Sequence, residues 1–143
     1  MKRYYAIAAS ALLLALFLYL FYRTEKTLVN IMLREIVGMA RAHGIRQFVV
    51  QHLPLPEWMV YSLPGALWVF AATLLSRQLY LNLPNYSIPL SVLPALYAVM
   101  MEFLQLAHWL PGTFDFTDAL LALAFGLLAK TAVSCPLPVQ NIC

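Results

Sequence analysis

Charge is what this chain has least of. Its 143 residues carry 9 Lys and Arg and 6 Asp and Glu, 10% of the whole, where a soluble domain has about 25%. A domain of this length must cover a large surface with polar groups, and so few charges cannot do that. The lack excludes a soluble enzyme and a solvated disordered tail. Cysteine is nearly as scarce. Cys135 and Cys143 are the only two, without CxxC spacing or a His at metal-ligand distance, which excludes a disulfide-stapled module and suggests no metal site. There is no nucleophile elbow, HExxH, Walker loop or Cys–His pair, so any catalysis would rest on carboxylates. The net charge of +3 comes from basic residues scattered along flanks, not gathered in a stripe, so no nucleic-acid partner is expected. No repeat or low-complexity stretch divides the chain, and residues 1–143 read as one domain.

What is abundant is apolar. The chain is 63% hydrophobic with a mean hydropathy of +0.78, which predicts an all-α integral membrane protein whose excess apolar surface faces lipid. A spanning helix needs about 20 apolar residues to cross about 30 Å of hydrocarbon. Four segments meet that need, residues 4–22, 58–76, 86–109 and 116–135. The first follows Lys2 and Arg3 and ends in Leu20, Phe21 and Tyr22, where a signal-peptidase site would want small residues, so it reads as a retained signal anchor. The second opens on Pro54, Pro56, Glu57 and Trp58, an interfacial anchor, and contains Pro64 and Gly65. Tyr61 and Ser62 stand close enough to bond the freed carbonyls. The third starts at Tyr86 with Ser87 as N-cap and Pro89 in its first turn, and Pro94 predicts a kink. The fourth carries Asp118 and Lys130 towards opposite interfaces, the latter by snorkelling.

The connector between the first two spans is less apolar. At 100° per residue Leu28, Val29, Met32, Leu33, Ile36, Met39 and Ala40 share one arc, and Lys26, Thr27, Asn30, Arg34 and Arg41 the other. This predicts an amphipathic helix over residues 24–43, ended by Gly44, lying either in the membrane interface or on the bundle. Basic residues alone do not fix the orientation. Lys2 and Arg3 before the first span, and a basic-free loop at 110–114, favour a cytoplasmic N-terminus, with Glu102 and Asp115 facing outwards.

Chemistry concentrates in MEFLQLAHWLPGTFDFTD, residues 101–118. Glu102 and Gln105 share a helix face, a Pro111-Gly112 turn follows, and Asp115 and Asp118 open the next helix. So short a turn lays the two helices side by side, and the four polar residues converge. A carboxylate within a span is costly and points to a functional site. Each also has a structural reading: Asp115 and Asp118 as N-cap and third-residue acid, Glu102 as a packing residue bonded to Gln105, Ser62 or a kinked carbonyl, and Gln105 as an interhelical bond. His108 reads as a boundary residue or a ligand, and His43 and His52 carry no assignment. Three carboxylates and an amide can coordinate a hard cation, hold an amine or amide head group, or move a proton. The residues do not choose among these, and no cofactor is specified.

The same stretch resembles the VanZ-like family of small bacterial membrane proteins. The resemblance rests on Glu102-x-x-Gln105 closing one span, Gly112 in the turn and Asp115-x-Thr117-Asp118 opening the next. Ser62-Leu63-Pro64-Gly65 and the four-span layout are similar too. Two positions depart from the family pattern. Thr113 stands where many members have Arg, and Ala122 where they have Asn, so contacts made by those side chains are lost or supplied otherwise. The resemblance implies a multi-pass protein of the bacterial cytoplasmic (inner) membrane whose outer-face site, Glu102, Gln105, Asp115 and Asp118, binds or acts on an envelope component, an antibiotic or a cation. The family takes its name from a protein associated with teicoplanin resistance. Two other readings remain: a non-catalytic subunit or assembly factor packing against a membrane-protein partner or a second copy of itself, and a carboxylate-dependent metalloenzyme acting on a lipid-linked substrate.

Overall fold

In the computed structural model, residues 2–23, 31, 35–36, 38–83 and 86–134 are described, and they are mostly helical. Residues 4–22 contain no charge, Gly or Pro to interrupt a helix, and α1 runs Lys2–Tyr22. Helix α2 is Met39–His52, α3 Glu57–Tyr61, α4 Leu63–Leu75, α5 Leu93–Leu106 and α6 Phe116–Ser134. A two-stranded antiparallel hairpin, β1 Tyr80–Leu83 and β2 Tyr86–Pro89, joins α4 to α5 through short 3-10 turns. Among the described residues one helix, Arg3–Tyr22, is long and apolar enough to cross a membrane.

Helix α4 is the centre. Ala66, Leu67, Val69, Ala71, Thr73 and Leu74 are all buried along it, against α1 on one flank and α6 on the other. The approach is close because the neighbours are small: Ala8 and Ala11 on α1, Ala122, Gly126 and Ala129 on α6. Small residues let helix backbones come near enough for dispersion contacts. At Gly126 a Cβ would stand 3.0 Å from the Ala95 Cβ and 3.7 Å from a Val69 methyl. Phe70 meets Phe125 edge-on at 6.2 Å, and Trp68 meets Tyr97 at 6.3 Å.

The ends are tied by polar and aromatic contacts. Arg77, just after α4, lies over the Tyr4 ring at 3.6 Å, so α1 and α4 are antiparallel. At the other end the Tyr22 hydroxyl donates to Leu53 O at 2.6 Å. Arg46 of α2 donates its Nε–H to Phe21 O at 2.9 Å and a second N–H to Arg23 O, satisfying carbonyls that the end of α1 leaves open. One end therefore gathers the start of α1, Arg77 and the hairpin; the other gathers Tyr22, α2, α3 and the α5–α6 turn.

Three expectations are corrected. Tyr86–Pro89 form a strand, not the start of a helix, and the Ser87 hydroxyl donates to Asn82 Oδ1 at 2.6 Å instead of capping. Tyr80, Tyr86 and Ile88 are aromatic or β-branched, residue types that fit a pleated ribbon. Pro94 produces no kink: it sits in the first turn of α5, where its missing N–H would have had no partner. Helix α5 also ends at Leu106, short of Trp109. The third is Gly44, which lies inside α2 and ends nothing. Of the connector 24–43, residues 24–30, 32–34 and 37 lie outside the described residues, as do Cys135 and Cys143. The break in the second segment falls at Ser62, which is buried at 3% exposure between α3 and α4.

Candidate functional site

The end of α5 and the start of α6 are built by capping. Trp109 N–H donates to Leu104 O at 2.9 Å and His108 N–H to Gln105 O at 3.0 Å, the paired bonds of a Schellman motif. The residue in the left-handed position is His108, φ 58°, where glycine is usual. Gly112 then turns the chain at φ 138°, a conformation that L side chains rarely adopt. The Gln105 side chain fills the space beside it, since a Cβ on Gly112 would stand 2.9 Å from Gln105 Cδ and Nε2.

Asp115 is the N-cap of α6. Its Oδ1 accepts the Thr117 N–H at 2.8 Å, and its carbonyl accepts the first helical bonds from Asp118 and Ala119. Its own N–H donates to Glu102 Oε2 at 3.1 Å. Glu102 thus does not bond Gln105, Ser62 or a kinked carbonyl; it reaches across the turn and clasps the cap residue of the next helix. Asp118, an acid in the first turn of α6, suits the helix dipole. Its Oδ1 is buried with no hydrogen-bond partner among the described residues. Both aspartates lie within electrostatic range of Glu102.

The structure therefore brings Glu102, Gln105, Asp115 and Asp118 to one turn and divides their labour. Glu102 and Asp115 are engaged in holding α5 against α6, whereas the Asp118 Oδ1 has no hydrogen-bond partner among the described residues and the Gln105 amide packs beside Gly112. Among the described residues no three His, Cys, Asp or Glu side chains are arranged to hold a metal ion. Trp109, 79% exposed, and Phe116, 67% exposed, flank the turn. His108 serves the backbone turn.

The chain matches no protein-family model, no curated protein and no solved structure. Its chemistry has to be read from the geometry. That geometry includes a second feature away from this turn, a cavity of about 480 Å³ between the end of α1, α2 and α3. His43, assigned nothing from the sequence, is in its wall. The His43, Gln47, Gln51 spacing of four was the available signal, but it marks a shared helix face without saying what the face looks on.

Proposed function

We propose that this chain is a VanZ-like, four-span protein of the bacterial cytoplasmic membrane whose α5–α6 turn forms an outer-face site for a polar envelope component or an antibiotic. The observation that carries the reading is the buried, unpartnered Asp118 Oδ1 beside a carboxylate, Glu102, already committed to the fold. A buried acceptor without a donor is costly, and a ligand N–H or O–H supplies what is missing. Gln105 offers both a donor and an acceptor to the same ligand.

Several features support the membrane arrangement. Helix α1 is long and apolar enough to cross, α6 has 19 residues, and α3 with α4 make a nearly continuous run from Glu57 to Leu75. Helix α5 with its preceding 3-10 turn, Leu90–Leu106, is shorter and needs local bilayer thinning or flanking anchors. Large apolar side chains face outwards all round, among them Leu13, Leu96, Phe103 and Leu127, each 58% exposed or more; such a surface suits lipid and not water. Glu57, Glu102, Asp115 and Asp118 gather at one end together with Arg23 and Arg46, and Arg3 and Arg77 mark the other; with basic residues at both ends, the hairpin end is assigned to the inside on Lys2 and Arg3 preceding the first helix.

The test is protection of bacteria expressing the chain against teicoplanin and other envelope-directed agents, with the amount in the membrane measured alongside. Asp118→Asn and Gln105→Leu are expected to abolish protection at unchanged membrane level. Full protection by both variants sinks the reading. Loss of the protein from the membrane makes these residues structural and favours the second reading, a subunit whose unpartnered Asp118 bonds a partner helix. That reading is checked by whether the gently solubilised protein migrates with a stoichiometric partner.

A further inference from the structure

The cavity at the end of α1 is walled by the polar side of α2. At 100° per residue His43, Arg46, Gln47, Val50 and Gln51 fall within an arc of about 140°, and all five line the cavity. The opposite arc carries Ile45 and Phe48, 49% and 62% exposed, with the exposed His52 between them. Apolar side chains beside an imidazole suit the headgroup boundary of a bilayer, and Tyr22, at the end of the one membrane-length helix among the described residues, lines the same cavity. The cavity then lies at the depth of lipid headgroups, and its volume is ordinary for a small-ligand site.

Its walls carry both signs of charge. Arg46 stands on one side, and Glu57 is the one acid of the lining among the described residues. Behind the wall, the Arg23 guanidinium lies over the rings of Tyr19 and of Tyr61, a lining residue, at 5.2 and 5.4 Å. The Arg23 Nε is buried without a hydrogen-bond partner among the described residues, and Arg23 is not among the residues that line the cavity, so its charge stands behind the wall. The His43 and Gln47 side chains hydrogen-bond at 3.2 Å, so their polar atoms are held in place.

We propose that this cavity binds a phosphoethanolamine group, its phosphate against the Arg46 and His43 side and its primary ammonium against Glu57. A zwitterion satisfies a wall of mixed sign where a simple anion would face Glu57 unpaired. A quaternary amine fits less well: it cannot donate to Glu57, and Arg23 already lies over the Tyr61 ring. The inference rests on α1 crossing the membrane and is independent of the Asp118 site.

The experiment uses the full chain, purified in detergent and stripped of lipid. Retention of phosphatidylethanolamine, phosphatidylcholine and phosphatidylglycerol with identical acyl chains is compared by native mass spectrometry, and soluble O-phosphoethanolamine is added as competitor. Phosphatidylethanolamine is expected to be retained about tenfold over the other two, the worth of one charge-assisted hydrogen bond. Glu57→Gln is expected to bring it level with phosphatidylglycerol, and Gln51→Leu to weaken retention while keeping the order. Equal retention of all three lipids, with no binding of the soluble compound, overturns the proposal, as does a preference unchanged in Glu57→Gln. Binding of the soluble compound without lipid preference keeps the chemistry and assigns a free phosphate ester as the source. Alkaline carbonate extraction of membranes is run in parallel. A protein that stays integral but shows neither a lipid preference nor binding of the soluble compound overturns the cavity assignment alone; one that is stripped off overturns the membrane reading and the headgroup depth with it.

Discussion

Helices α4 and α5 are both apolar, both open with a proline in the first turn and are nearly equal in length, yet they live in different surroundings. In α4 seven residues are buried, in α5 only Pro94. The cause lies in the neighbours. Helix α4 is flanked by alanines on α1 and α6 and touches both at short range, so its interior is close-packed. Helix α5 meets α6 at the Ala95–Gly126 approach and at the Glu102–Asp115 clasp, and its remaining faces carry large exposed side chains such as Leu96, Tyr97 and Phe103. One helix is held by shape, the other by a few polar and small-residue contacts. Apolar composition alone does not distinguish them.

The comparison breaks most sharply at Ala71, which is 0% exposed. Ala71→Leu inserts three carbons where there is no space, and overpacking costs about 1–3 kcal/mol or more; the melting temperature in detergent should fall steeply, or the protein should be lost. Leu96→Ala, on the open face of α5, should change it little, and equal losses at the two positions would remove the distinction. Next comes the clasp. Glu102→Leu leaves the Asp115 N–H without its acceptor and Asp115→Ala removes the N-cap, each costing about 1 kcal/mol. Glu102→Gln keeps an acceptor oxygen and should melt close to wild type. The two losses should be less than additive, because both act on one cap. In the close-packed helix, Thr73 is 1% exposed and its Oγ1 has no hydrogen-bond partner among the described residues. Thr73→Val removes that unmet hydroxyl and should be neutral or stabilising by up to about 1 kcal/mol. The smallest effect is at His108. Glycine relieves its left-handed strain, worth less than about 1 kcal/mol, and the melting temperature of His108→Gly should rise slightly.

Much of the site was legible because it is local. Glu102 and Gln105 on one face, a Pro-Gly turn, and Asp115 with Asp118 in capping positions follow from spacing and turn chemistry, and the short turn forces the helices together. What spacing could not say is which oxygen meets which hydrogen. Asp115 caps α6 as its position suggests, but that Glu102 holds the cap residue and that Asp118 is left over depends on the angle between the two helices. The hairpin was missed because apolar alternation over four residues is too short to separate strand from helix, and Pro94 suits a first turn as well as a kink. The α2 cavity was missed for another reason: periodicity shows that polar residues share a face but not which way it points.

By itself the sequence determined the helical, strongly apolar character of the chain, the start of α1 and α6, and the gathering of three of its six acids around one turn, because these depend on composition and on neighbours a few residues apart. Tertiary structure decided which helix is central, which carboxylate is engaged and which is left without a partner, and that one face of α2 lines a cavity with Tyr22 and Glu57. Those outcomes depend on how close backbones approach, and closeness is set by alanines and a glycine on helices far apart in the chain.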